Sequence, residues 1–379
     1  MSPLILECVR AHPDPGELRR LCASSPDWGA LIESAGLQDL APLVFWALNR
    51  GCPDAVPPEA LSALRSRFRR NTVRNLLFAK ELLRLLSLFD SAGIQAVPFK
   101  GPAIAWSLYE TPGLRFICDL DFLVSARDVK RAIDLLESNG YPRVFPGVGV
   151  RFFSAAGQMP LRRADGEFEI DLHWRLAAAH FNPLDTAGIR ERLAPVDVAG
   201  HPIPTLCPED LLAYLCVHGA KGGWSLAMVC DLDRLIAVRG LDWDAILARA
   251  DRRRMSRIVS LGLSLAHGLL GSKLPPRVSN FIHADTRALA LASSIRKRIL
   301  DDREGDGGDR GLLQLHLLQG VRNRFRFVWY LLQPTDDDWR LLRIPESLFP
   351  LYYLVKPVQL AWRWRLRPVF GLKRTAGTL

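Results

Sequence analysis

The stretch FICDLDFLV (116–124) carries two carboxylates, Asp119 and Asp121, one residue apart in an otherwise apolar run. On an extended chain, residues two apart share one face, so Leu120 and Phe122 would face a core while both acids face away from it. Fifty residues on, GEFEIDLHWRL repeats the alternation: Phe168, Ile170, Leu172 and Trp174 against Glu167, Glu169, Asp171 and His173. If the two strands are neighbours, Asp171 lies beside Asp119 and Asp121. Three carboxylates on one sheet face repel one another, and a divalent cation is the natural compensation. Oxygen ligands without a Cys/His set point to Mg²⁺ or Mn²⁺ and away from zinc. Such ions commonly bridge protein carboxylates and substrate phosphates. His173 shares the face of Asp171, where it would touch a metal or an acceptor, or hydrogen-bond the acid.

The elements that must position these residues are legible around them. IQAVPF (94–99) reads as a short strand, followed by Lys100-Gly101-Pro102 and the helical pattern AIAWSLYE. A glycine at a strand-to-helix turn lets backbone approach a phosphate, the helix N-terminus favours an anion, and Lys100 could reach the same anion. SARDVKRAIDLLESNG predicts a helix capped by Ser125 and ended by Gly140. QMPLRRA and FEIDLHWRL predict a hairpin closed at Asp165-Gly166, a dipeptide favoured in two-residue turns. The order is strand, helix, strand, helix, hairpin.

Helices flank this unit. LQDLAPLVFWALNRG and a long pattern from Glu59 to Leu88 precede it; EDLLAYLCVHGAK, WSLAMVCDLDRLIAVRG, DWDAILARADRRR and MSRIVSLGLSLAHGLLG follow. In the first of these, His218 and Lys221 could reach over a nucleotide's base or phosphates. Asp231 and Asp233 repeat the DxD spacing, but on a helix residues two apart point different ways, so a surface or capping role is expected. The expected fold is α+β: an N-terminal helical region (1–92), a small mixed-sheet palm (93–206), a helical domain (207–300), then a linker, an amphipathic helix and a basic aromatic tail (301–379).

With 379 residues, 49% hydrophobic and 24% charged, the chain is an ordinary folded protein with room for two or three domains. The net charge of +10 sits mostly at the C-terminus: from Arg340 on, eight Lys/Arg face one acid, Glu346. Such a tail could touch nucleic acid or an anionic membrane surface; the simpler reading is a docked tail with solvated arginines. No stacking-plus-basic groove pattern accompanies it, which weighs against nucleic acid. The seven cysteines include no CxxC pair, and Cys118 and Cys216, set in apolar runs, read as small hydrophobes. No apolar run reaches the roughly 18–20 residues of a membrane span, and no secretory signal opens the chain, so a cytoplasmic location is expected.

VPFKGPAIAWSLYETPGLRFICDLDFLVSARDVKRAIDLLESNGY followed by EIDLHWRL resembles the bacterial nucleotidyltransferase family of uncharacterised function, within the polymerase-β-like superfamily. The similarity runs on through HGAKGGWSLAMVCDLDRLI and IPESLFPLYYLVKP. The resemblance implies a compact palm in which Asp119 and Asp121 bind two metal ions and the triphosphate, and Asp171 completes the ion that activates an acceptor hydroxyl. The nucleoside triphosphate is attacked at its α-phosphate and pyrophosphate leaves, with the ions about 3.5–4 Å apart. One departure stands out. The usual phosphate-holding Gly-Ser or Gly-Gly is Lys100-Gly101-Pro102 here, leaving Lys100 or Arg115, four residues before Asp119, to hold the triphosphate. The acceptor would be a small molecule or a protein side chain. A catalytically degenerate palm that binds nucleotide or a partner is the alternative.

Overall fold

The computed structural model describes residues 1–361 apart from 147, 151, 182–185, 239, 302–306 and 345. The tail beyond 361 and residues 302–306 of the expected linker therefore lie outside the described residues, while the rest of that linker, from Gly307, is helical. Among the described residues, six strands form two sheets. β1 (Val97–Pro98), β2 (Leu120–Leu123), β3 (Gln158–Arg162) and β4 (Glu169–His173) make a four-stranded sheet in the order β1-β2-β4-β3. β2 pairs antiparallel with β1 and parallel with β4, while β3 and β4 form an antiparallel hairpin. The sheet is mixed and small, with helices around it, which is the α+β arrangement expected.

Alternation along the strands builds two cores. Leu120, Phe122, Met159, Leu161, Ile170 and Leu172 face one way, onto the helices Pro58–Ser91 and Val129–Ser138 through Phe78, Leu82, Leu85, Phe89, Ile133 and Leu136. Phe89 meets Phe122 edge to face at 5.3 Å. Burying a ring of this size contributes about 1.5–3 kcal/mol. The opposite face, with Val97, Phe99 and Leu123, joins a larger core. That core runs from the N-terminal helices through the helices Pro208–Gly222, Leu226–Ala237 and Ser256–Leu270. The acid-bearing face of the sheet therefore looks toward the C-terminal helices.

The helix Pro58–Ser91 ties the two cores together. Its buried positions Ala60, Leu64, Asn71, Asn75, Phe78, Leu82, Leu85 and Phe89 recur at three- and four-residue steps along one stripe. Two of these positions are asparagines, and each is answered by backbone. Asn71 Nδ2 donates to the carbonyls of Gly113 (2.8 Å) and Arg115 (3.0 Å), and Asn75 Nδ2 to those of Pro112 (2.5 Å) and Arg115 (2.6 Å). The segment leading into β2 is thus held from behind.

Local departures from expectation have local causes. Val129–Ser138 begins after a turn at 126–128, and Asp128, not Ser125, stands at its N-cap. The β3–β4 hairpin spans 163–168 instead of a two-residue turn, because the Arg163 amide bonds the Phe168 carbonyl and the Asp165 carboxylate accepts from the Glu167 amide. Cys118 is exposed, since β2 starts at Leu120 and its alternation does not extend back to the cysteine. A second hairpin, β5 (Ala194–Val198) and β6 (His201–Thr205), was not anticipated. Pro195, Pro202 and Pro204 disguise it, since proline normally argues against a strand. It closes on Ala199-Gly200, both with positive φ.

Candidate metal and nucleotide site

Parallel pairing of β2 and β4 sets Asp121 opposite Asp171 and Leu123 opposite His173. Paired residues share a face, so the third acid comes to the DxD strand as the alternation required. One ligand atom from each of Asp121, Asp171 and His173 lies within 4.8 Å of the others. Asp119 precedes the strand and is outside that trio, but its carboxyl feels the charges of Asp121 and Asp171.

Asp121 is the centre of the arrangement. Its Oδ1 receives Lys100 Nζ at 2.6 Å and His173 Nε2 at 2.9 Å. Its Oδ2 is buried with no hydrogen-bond partner. A buried carboxylate oxygen left bare costs free energy, and a cation is what such an atom suits. The donor set of two carboxylates and an imidazole fits a divalent metal on that ground. Asp171 Oδ2 accepts from Gln158 Nε2 at 3.0 Å, and Gln158 Oε1 accepts from Lys221 Nζ at 3.3 Å.

Charge and burial set these acids apart. Burial, then the neighbouring Asp121, pushes the Asp119 carboxyl up to about 6 against the pull of Lys100. Burial also opposes ionisation of Asp121, but Lys100 and His173 outweigh it and hold its carboxyl well below the usual range. Burial raises Asp171, Asp121 adds to the rise, and His173 and Lys100 work against it. Divergent shifts among neighbouring acids are a common mark of a functional site.

The turn before the helix Pro102–Leu108 is built around Gly101, at φ +54. A Cβ there would sit 2.9 Å from the Asp119 carbonyl oxygen. Glycine is thus required twice, for its backbone angle and for close approach to the acid-bearing segment. Lys100, just before it, has a side chain only 12% exposed.

From the C-terminal side, the helix Pro208–Gly222 brings Tyr214, His218 and Lys221 over the same face. Tyr214 stacks on His218 at 5.7 Å, and Phe99 meets the rings of Tyr214 and His173 edge-on at 5.1 and 5.0 Å. Burial, with Lys100 and Lys221 nearby, keeps the His218 imidazole well below its ordinary value, hence neutral. His218 and Lys221 therefore lie close to the acids and Lys100. Gln158 and Tyr214 were missed. Tyr214 carried a signal, sitting four and seven residues before His218 and Lys221 on one helical face; Gln158 shares the β3 face of Pro160, opposite the apolar Met159 and Leu161.

Arg115 needs correction. Its guanidinium is committed to Asp231, with Nε at 3.0 Å from Oδ1 and Nη2 at 3.0 Å from Oδ2, and Tyr109 Oη donates to the same Oδ1 at 2.6 Å. It fastens the palm to the helix Leu226–Ala237 instead of offering a free cation to a triphosphate. The surface or capping role expected for Asp231 and Asp233 fails for the same reason. Both are buried, and Asp233 accepts from Ser272 Oγ (2.5 Å) and the Ala11 amide (2.8 Å).

A family model described as uncharacterised nucleotidyltransferase matches residues 24–271, so the chain belongs to that nucleotidyltransferase family. No curated protein and no solved structure gives a significant match. Among the described residues, no helix is long and apolar enough to cross a membrane.

Proposed function

We propose that this chain moves a nucleoside monophosphate from ATP or another nucleoside triphosphate to a hydroxyl on a small molecule or a protein, with release of pyrophosphate. The observation that carries the reading is the in-register pair Asp121 and Asp171, with the Asp121 Oδ2 atom buried and bare. Asp121 and Asp171, with Asp119 beside them, would hold the metal. Mn²⁺ or Mg²⁺ held there would polarise phosphoryl oxygens and screen the carboxylates from the triphosphate.

The remaining work falls to the chain itself. Gly101 brings backbone and a helix N-terminus to the nucleotide side of the site. Lys221 steadies Gln158, which orients Asp171, and its ammonium is available to phosphate oxygens. Neutral His218, stacked on Tyr214, offers a flat surface to a base. The acceptor oxygen bonds to the α-phosphorus while the bond from that phosphorus to the β-phosphate bridging oxygen breaks. The hydroxyl proton passes to Asp171, and pyrophosphate carries off the bonding pair.

The second reading is nucleotide or partner binding without turnover. It draws on Lys100-Gly101-Pro102, a turn without the hydroxyl of Gly-Ser. Incubation with α-labelled nucleotides, Mn²⁺ or Mg²⁺ and hydroxyl acceptors, the chain itself included, separates the two. Label transfer with pyrophosphate release supports transfer; metal-dependent nucleotide binding without either supports the alternative.

A further inference from the structure

Lys100 does not stand in solvent awaiting a phosphate. Its ammonium lies 2.6 Å from Asp121 Oδ1, on side chains 12% and 0% exposed. The same oxygen takes His173 Nε2, which leaves only Oδ2 of this carboxylate for a metal. A carboxylate that bridges two ions needs both oxygens free, and Asp121 has one. The lysine is also poorly placed to leave. Gly101, at positive φ, is packed against the Asp119 carbonyl, and Pro102 fixes the start of the following helix. Its Nζ lies over the Phe99 ring, 5.9 Å from the ring centre.

We propose that Lys100 is a resident cation of this site, doing the neutralising work of a second divalent ion, so that the chain binds one divalent ion and not two. This rests on the metal-site reading above. Charge supports it: one divalent ion together with Lys100 balances Asp119, Asp121 and Asp171 in full. It also gives a use to the turn in which lysine, glycine and proline replace a hydroxyl-bearing loop. A fixed ammonium brings no coordination geometry of its own, so the lysine orders the carboxylate and leaves substrate orientation to the single ion and to Lys221.

The test counts ions on the full-length chain. Free Mn²⁺ is followed by electron paramagnetic resonance during titration, with and without a nonhydrolysable α,β-methylene ATP. Wild type is expected to bind one Mn²⁺ per chain in both conditions, Lys100→Met two, and Lys100→Arg one, since the arginine restores the charge. Two ions on the wild type, or one on Lys100→Met, overturns the proposal and leaves the metal site standing. No ion on the wild type in either condition overturns the metal site and the lysine's role together. The wild-type count needs no variant to fold; circular dichroism checks the two that are used.

Discussion

Arg115 and Asp231 are 116 residues apart in sequence and form a forked pair, Nε to Oδ1 and Nη2 to Oδ2 each at 3.0 Å, largely out of solvent. The pair joins the segment that leads into β2 to the helix Leu226–Ala237. A buried pair broken on one side leaves an uncompensated charge, which costs about 3–5 kcal/mol. Asp231→Ala should therefore lower the urea midpoint sharply. The double variant Arg115→Met with Asp231→Leu should recover much of the loss. A single variant as stable as wild type would contradict this role.

Gly101→Ala should be destabilising by about 1–3 kcal/mol, because alanine resists a positive φ. Its Cβ would also press on the Asp119 carbonyl, so Mn²⁺ affinity should fall along with stability. Thermal melts and Mn²⁺ titration check the two effects separately. Unchanged affinity would mean that this turn does not set the carboxylates.

Gln158 links Lys221 to Asp171 and is expected to position the acid. Gln158→Ala should reduce kcat about tenfold while leaving the fold intact, and Gln158→Asn should recover little because its amide is one methylene short. Steady-state kinetics with the labelled nucleotide reads this. An unchanged kcat would remove Gln158 from the site.

His180, buried against Phe181, Phe327 and Tyr330, has its imidazole pushed down to about 4 by burial. The unfolded chain takes up this proton near pH 6.5, before the folded chain does. Stability from this residue is therefore complete above about pH 6.5 and is lost as pH falls toward 4, by about 3 kcal/mol at most. In urea titrations, wild type should lose more stability between pH 7 and 4.5 than His180→Phe does. Equal losses would contradict the assignment.

Much of the site could be read from alternation alone. Asp121 on one strand and Asp171 on another were legible because period-two patterning fixes which face a side chain takes, although the strand starts at Leu120 and leaves Asp119 just before it. Lys221 and His218 were legible as a helix face. What escaped was pairing across long sequence distance. Arg115 looks inward from its own segment, and nothing local reveals that a helical aspartate 116 residues on will claim it. Asp231 and Asp233 seemed superficial because their spacing was compared with a strand's; each in fact answers a buried partner from another element. The β5–β6 hairpin escaped because prolines at alternate positions mimic a loop.

The central claim is that Asp121 and Asp171 together make a working transfer site. The direct measurement is α-labelled nucleotide transfer by wild type, Asp121→Asn and Asp171→Asn in Mn²⁺ across a panel of hydroxyl acceptors, with folding checked by circular dichroism. The account predicts label on an acceptor and released pyrophosphate for wild type, with at least a hundredfold loss in each variant at unchanged fold. Transfer that survives Asp121→Asn, or wild type that binds nucleotide and metal yet releases no pyrophosphate with any acceptor, would contradict it.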